Sequence, residues 1–194
     1  MAIVGDSSVS WTRYAIELAI RLGGALGRRV AVSVGGIAVT TEDQIRGRIV
    51  DAARSQLGKT EAGVYWSAVL PITDKPPYPR SWCGAGYLWC LHQAHPGFRT
   101  VRWRRGFGIS SAFAASVLPL PVTTEPKPGD MAYFARNQHH AVVEDVQGGL
   151  VRLVNFNGAN GRVTQTQSAL KAPACYYSIG PAIAQVVSET TSAT

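Results

Sequence analysis

Near Pro126 the hydrophobic period of this chain shifts from mainly helical to β-rich, and that switch narrows the folds open to it. Upstream, apolar residues recur at helical spacing; downstream, they fall into short β-rich stretches between turn signals. The first helical pattern is carried by Trp11, Tyr14, Ala15, Leu18, Ala19 and Leu22 and stops at Gly23-Gly24, with short strands at 30–34 and 37–39 behind it. A second helix opens at Thr41-Glu42-Asp43-Gln44, a capping-box pattern. Its apolar face is Ile45, Ile49, Ala52, Ala53 and Leu57, and Gly58 closes it. Residues 59–80 read as loop around Pro71, Pro76, Pro77 and Pro79. A third helix starts near Ser81–Cys83 and ends before Pro96-Gly97, and 110–118 add a helical turn or two. After the Pro128-Gly129-Asp130 turn come strands at 131–134, 141–146, 150–156 and 175–178, the second and third joined by a hairpin at Gly148-Gly149. Helices first and an antiparallel meander second predict an α+β fold, N-terminal helices packed on an antiparallel sheet.

Composition fits one domain with an appendage. The 194 residues are 46% hydrophobic and only 16% charged, which excludes a disordered chain. We expect a helix-plus-hairpin appendage of unassigned role over 1–40, the main domain over 41–185 and a flexible tail over 186–194. No apolar run approaches the ~20 residues that span a bilayer, so no membrane span is expected. The start, Met-Ala-Ile-Val-Gly-Asp, lacks the basic n-region of a signal peptide, and none is expected. The three cysteines, Cys83, Cys90 and Cys175, are too few for a disulfide framework. On one helix, Cys83 and Cys90 would stand about 10.5 Å apart at 1.5 Å per residue, beyond the Cα limit of about 7 Å for a disulfide.

The chemistry concentrates in Ser81-Trp82-Cys83-Gly84-Ala85-Gly86-Tyr87-Leu88-Trp89-Cys90-Leu91. Cys83 falls in the first turn of a helix, where unpaired N–H groups and the positive dipole end favour a thiolate. Gly84 and Gly86 leave room for a substrate. The bland alternative is a structural cysteine, and Cys90, deeper among apolar residues, fits that reading. A thiolate nucleophile needs a base, and the downstream histidines are His139 and His140. Strand alternation lets only one of them face the helix; His140, leading into Ala141-Val142-Val143, is the better candidate. His92 and His95 are expected at the surface. Asn155 and Asn157, two apart on the next strand, each offer an amide oxygen to orient the imidazole, or else serve as turn formers before Gly158-Ala159-Asn160-Gly161.

Taken together, 82–91, the Pro128-Gly-Asp-Met-Ala-Tyr-Phe134 stretch, His140-Ala-Val-Val143 and the upstream helix Ile49-Val-Asp-Ala-Ala-Arg-Ser-Gln-Leu-Gly58 resemble CHAP and NlpC-type cysteine amidohydrolases, over roughly residues 42–180. The resemblance implies a papain-like α+β fold and hydrolysis of amide bonds in peptidoglycan, as in a phage endolysin or virion-associated lysin. By position it makes Cys83 the nucleophile and His140 the base. Family members often carry Glu-x-Asn on the following strand; here that element is Asn155-Phe156-Asn157, with Asn155 at the Glu position. The resemblance also implies the backbone N–H of Cys83 as an oxyanion-hole donor, with Tyr78 a side-chain donor candidate and Trp82 a substrate contact candidate.

No HExxH, CxxC pair or P-loop is present, so no metal and no cofactor is expected. The run Arg99, Arg102, Arg104, Arg105, interleaved with Phe98, Trp103 and Phe107, admits a solvated loop, a nucleic-acid surface or a rim holding the protein on an anionic cell wall. We expect the wall rather than nucleic acid. Expected partners are peptidoglycan and, through residues 1–40, other virion proteins. The expected place of action is the virion, or the host cytoplasm before release to the wall. The reading from another class is a virion or tail module that keeps a papain-like fold for binding with weak or no catalysis.

Overall fold

The computed structural model describes residues 40–67, 82–99 and 120–192. Among these residues, four α-helices, α1 (Glu42–Arg54), α2 (Ala62–Trp66), α3 (Cys83–Ala94) and α4 (Gly180–Ser192), accompany six strands. These are β1 (Val122–Thr123), β2 (Met131–Phe134), β3 (His139–Gln147), β4 (Leu150–Asn155), β5 (Thr164–Ala169) and β6 (Cys175–Tyr177). They form one antiparallel sheet in the order β1-β6-β2-β3-β4-β5. The chain is α+β, as its change of period predicts.

Strand alternation divides the sheet into two faces. On one, Met131, Val142, Val154 and Phe156 meet Ile45, Ile49 and Ala53 of α1 and Leu88, Leu91 and Ala94 of α3 in the main core. On the other, Ala132, Ala141, Val143, Val151, Leu153 and Tyr176 make a smaller core against Phe134, Val146 and Leu170. Chain length explains this second core. Ala169 and Cys175 are six residues apart, a reach of about 20 Å when fully extended, and four strand spacings separate β5 from β6 in a flat sheet, about 19 Å. The link is not extended, since Ala172 N–H donates to Ala169 O at 2.9 Å. The sheet therefore curls, bringing β5 toward β6, and the Tyr176 hydroxyl reaches Leu170 O at 2.6 Å.

Two buried carboxylates lock helices to sheet. Asp130, at the end of the Pro-Gly-Asp turn, accepts from Arg46 Nη1 of α1 (2.8 Å), from Lys127 N–H (2.8 Å) and from Ile179 N–H (2.9 Å) just before α4. Burial alone would lower the Arg46 pKa, but its bonds and charge contacts with Asp130 and Glu42 outweigh it and raise the value. Gly129 holds a φ of +86° with the Arg46 backbone 3.5 Å from where its Cβ would stand, and its carbonyl accepts from the Tyr87 hydroxyl of α3 at 3.0 Å. Glu144, the extra residue of a bulge in β3, takes Arg54 of α1 and Gln165 of β5.

Several expectations need correction. Helix α1 ends at Arg54 and turns on to Gly58, leaving Leu57 exposed. The short α2 arises in a stretch read as loop, and the strands β1 and β5 in stretches for which no element is expected. The tail expected over 186–194 is helical through Ser192, because Ile183 and Val186 bury one face of α4 in the main core. Residues 1–39 of the appendage expected over 1–40, the proline cluster and the turns at 110–118 lie outside the described residues. Among the described residues no helix is long and apolar enough to cross a membrane.

Candidate active site

Helix α3 begins on Cys83, with Gly86 N–H donating to Trp82 O at 2.9 Å to close its first turn. The thiol therefore sits among amides that lack intrahelical partners. Trp82 is 3% exposed and fixes the approach to the helix from below: its indole stacks on Tyr65 (5.0 Å between centroids, 9° between planes) and meets Phe156 edge-on. Trp82, the expected substrate contact, thus packs into the core beside Cys83. Gly86 has a packing role rather than the expected substrate clearance. A Cβ there would clash with Cγ and Cδ1 of Phe156, so glycine is what lets α3 settle on the end of β4.

Register decides which histidine meets the thiol. Ala141 pairs with Asn155 across β3 and β4, so His139, Ala141 and Asn155 share the face turned away from the helices, and His140 takes the helix face. Cys83 Sγ stands 3.5 Å from His140 Nδ1, with the two residues 6% and 1% exposed. On β2, directly opposite His140, Tyr133 lays its ring along the imidazole, 5.3 Å between centroids and 29° between planes.

The same register removes Asn155 from the role expected of it. His139 Nε2–H donates to Asn155 Oδ1 at 3.1 Å, while Asn155 Nδ2 donates to Thr166 Oγ1 of β5 at 2.8 Å. The amide is committed to the other histidine on the other face. Burial lowers the His139 pKa, with the Asn155 bond acting against the shift. Asn157 stands beyond the last pair of β4 with a φ of +55°, where strand alternation no longer governs its side chain.

The electrostatics of Cys83 also differ from expectation. Burial pushes its thiol up, and the opposing contacts from the backbone of His140, Gly84 and Cys83 itself do not reverse that. Burial thus works against a resting thiolate at Cys83. All three cysteines are free, and Cys90 is fully buried, in keeping with a structural role.

The remaining candidates separate plainly. Arg99 is exposed at the end of a 3-10 turn (Pro96–Arg99); Tyr78, Arg102, Arg104 and Arg105 lie outside the described residues. His95, expected at the surface, is buried and accepts from Gly97 N–H at 3.1 Å beyond the end of α3. His92 is half-buried, its pKa lowered to about 4 by burial and by the charge of Arg99. Among the described residues no three His, Cys, Asp or Glu side chains converge as a metal site would require. Tyr133 and Phe156 escape a reading of polar motifs, though the aromatic two residues after Met131 and the parity of Phe156 with His140 are signals in the sequence.

A buried thiol touching an imidazole, at a helix start, can transfer its proton to nitrogen and attack a carbonyl carbon. Comparison with known families, curated proteins and solved structures returns no match for this chain.

Proposed function

We propose that the protein is a cysteine amidohydrolase of papain-like fold that cleaves amide bonds in peptidoglycan. The observation that carries the reading is the contact of 3.5 Å between Cys83 Sγ and His140 Nδ1 at the start of α3. His140 Nδ1 takes the thiol proton as Sγ bonds to the carbonyl carbon. The N-terminal amide of Cys83 faces the oxygen on which charge develops. The imidazolium then returns its proton to the departing amine as the C–N bond breaks, leaving a thioester. Water, deprotonated by His140, hydrolyses that ester and restores the thiol. Asn157, rather than Asn155, is the third group in this scheme, since Asn155 is held by His139 and Thr166 on the opposite face. The wall as substrate rests on the resemblance of 82–91 and 128–143 to cell-wall amidohydrolases, and the phage or virion setting rests on the same ground.

The second reading, a virion or tail module with weak or no catalysis, draws on the raised thiol and on the commitment of Asn155 to His139. Purified walls separate the two. Clearing of walls by the native protein, lost in Cys83→Ser and accompanied by new amino groups without new reducing ends, establishes the amidohydrolase. Wall binding with no product, equal for both proteins, establishes the module.

A further inference from the structure

Three half-buried side chains extend the site along the helix-facing side of the sheet. Cys175 of β6 pairs with Tyr133 of β2, and Tyr133 pairs with His140 of β3, so Cys175, Tyr133 and His140 lie in one row across adjacent strands. Tyr177, two residues along β6, stands on the same face, and burial together with the neighbouring Cys175 and Tyr133 pushes its hydroxyl pKa up. The Tyr133 ring stacks on the His140 ring with 29° between planes, and its strand is flanked by β3 and β6. His140 in turn meets Cys83 from α3; the titratable groups gathered around this row are Cys83, Tyr133, Cys175 and Tyr177, with His139 turned to the other face.

We propose that Tyr133 is a positioning residue for the catalytic pair, its ring holding the His140 imidazole in the plane that aims Nδ1 at Cys83 and favouring the imidazolium formed during proton transfer. The proposal rests on the Cys83–His140 reading. Physically, a ring face lying along an imidazole restricts rotation of that ring and attracts its charged form through the quadrupole of the aromatic system. The contact belongs to the ring rather than to the hydroxyl, so phenylalanine should replace tyrosine and an aliphatic residue should not.

The test reads Cys83 itself and needs no wall substrate. Native protein, Tyr133→Phe, Tyr133→Leu and His140→Ala are alkylated with iodoacetamide at pH 8, and modification of Cys83 is followed by peptide mass spectrometry, with thermal unfolding measured alongside. His140→Ala should slow Cys83 alkylation, which establishes the pair. Tyr133→Leu should slow it roughly tenfold, the size of an aromatic contact to a partly desolvated cation, while Tyr133→Phe stays within about twofold of native. Slowing by Leu with recovery by Phe supports the proposal. Alkylation by Tyr133→Leu at the native rate, with His140→Ala slow, overturns it and leaves the pair standing. Equal slowing by Phe and Leu also overturns it, because the hydroxyl and not the ring would then matter. If His140→Ala alkylates like native protein, the reading of the pair fails first. Should Tyr133→Leu melt before the assay temperature, Tyr133→Met repeats the comparison with a longer flexible chain.

Discussion

His139 and His140 are adjacent in the chain and serve opposite faces of the same strand: one holds Asn155 at 3.1 Å, the other stands 3.5 Å from Cys83. The polar groups of this region thus fall into two sets that do not share members. His140, Tyr133 and Cys83 form the set on the helix side. His139, Asn155 and Thr166 tie β3, β4 and β5 together on the other.

That division sets the order of effects for the two asparagines. Asn155→Ala should cost roughly 1–3 kcal/mol of stability, since it strands the buried donors and acceptors of its partners, yet leave turnover of folded protein within a few-fold of native. Asn157→Ala should lower turnover by tenfold or more with less effect on stability. Denaturant melts and initial rates on the same preparations check both. Loss of turnover confined to Asn155→Ala would return that residue to the catalytic set.

The raised thiol of Cys83 predicts slow labelling at low pH. At pH 6, iodoacetamide should modify half-buried Cys175 before Cys83, which is 6% exposed and protonated. Labelling of Cys83 should rise steeply only as pH climbs past the ordinary thiol value of about 8.5. Peptide mapping of a pH series gives the answer directly, and preferential labelling of Cys83 at pH 6 would mean the thiolate is already formed in the resting protein.

Legibility differed from residue to residue, and the reason is where the information lies. Cys83 at a helix start and His140 on a strand were readable because helix signals and alternation are local. The partner of Asn155 was not, because it depends on pairing Ala141 with Asn155 across two strands, and a shift of one residue exchanges the faces. Strand β5, Thr-Gln-Thr-Gln-Ser-Ala, has no apolar alternation of its own and exists through its ladder with β4. The last turns of α4 contain Ser188, Glu189, Thr190 and Thr191, poor helix formers beside Glu, yet the helix continues because Ile183 and Val186 are anchored in the core. Arg46 reads as a surface charge on α1 until Asp130, eighty-four residues away, is brought to it.

Gly86 gives a sharp packing prediction. In an exposed helix, glycine to alanine gains about 1 kcal/mol. Here Gly86→Ala should instead destabilise by roughly 1–3 kcal/mol, the usual cost of overpacking, because its Cβ enters the space of Phe156. Phe156→Leu should cost stability on its own by leaving a void, but the double variant should cost less than the sum of the two. Additive losses in that cycle would mean the glycine is needed for another reason.

The pH dependence of stability follows from the histidines outside the pair. His92 has a folded-state pKa of about 4 against an ordinary 6.5, with burial the larger cause and Arg99 the smaller. Burial also lowers His95 and His139. A histidine whose pKa is depressed by folding is neutral in both states above its unfolded value, so its contribution is fully present above about pH 6.5. Below that the unfolded chain binds the proton first, and stability drains away as pH falls toward the folded value near 4 for His92. Denaturant midpoints should therefore drop between pH 7 and pH 5. His92→Gln, which cannot titrate, should flatten part of that drop, and should do so less than proportionally because the side chain is only half-buried and water screens it. A midpoint for His92→Gln that falls as steeply as native between those two pH values would place the acid sensitivity on His95, His139 or the carboxylates instead.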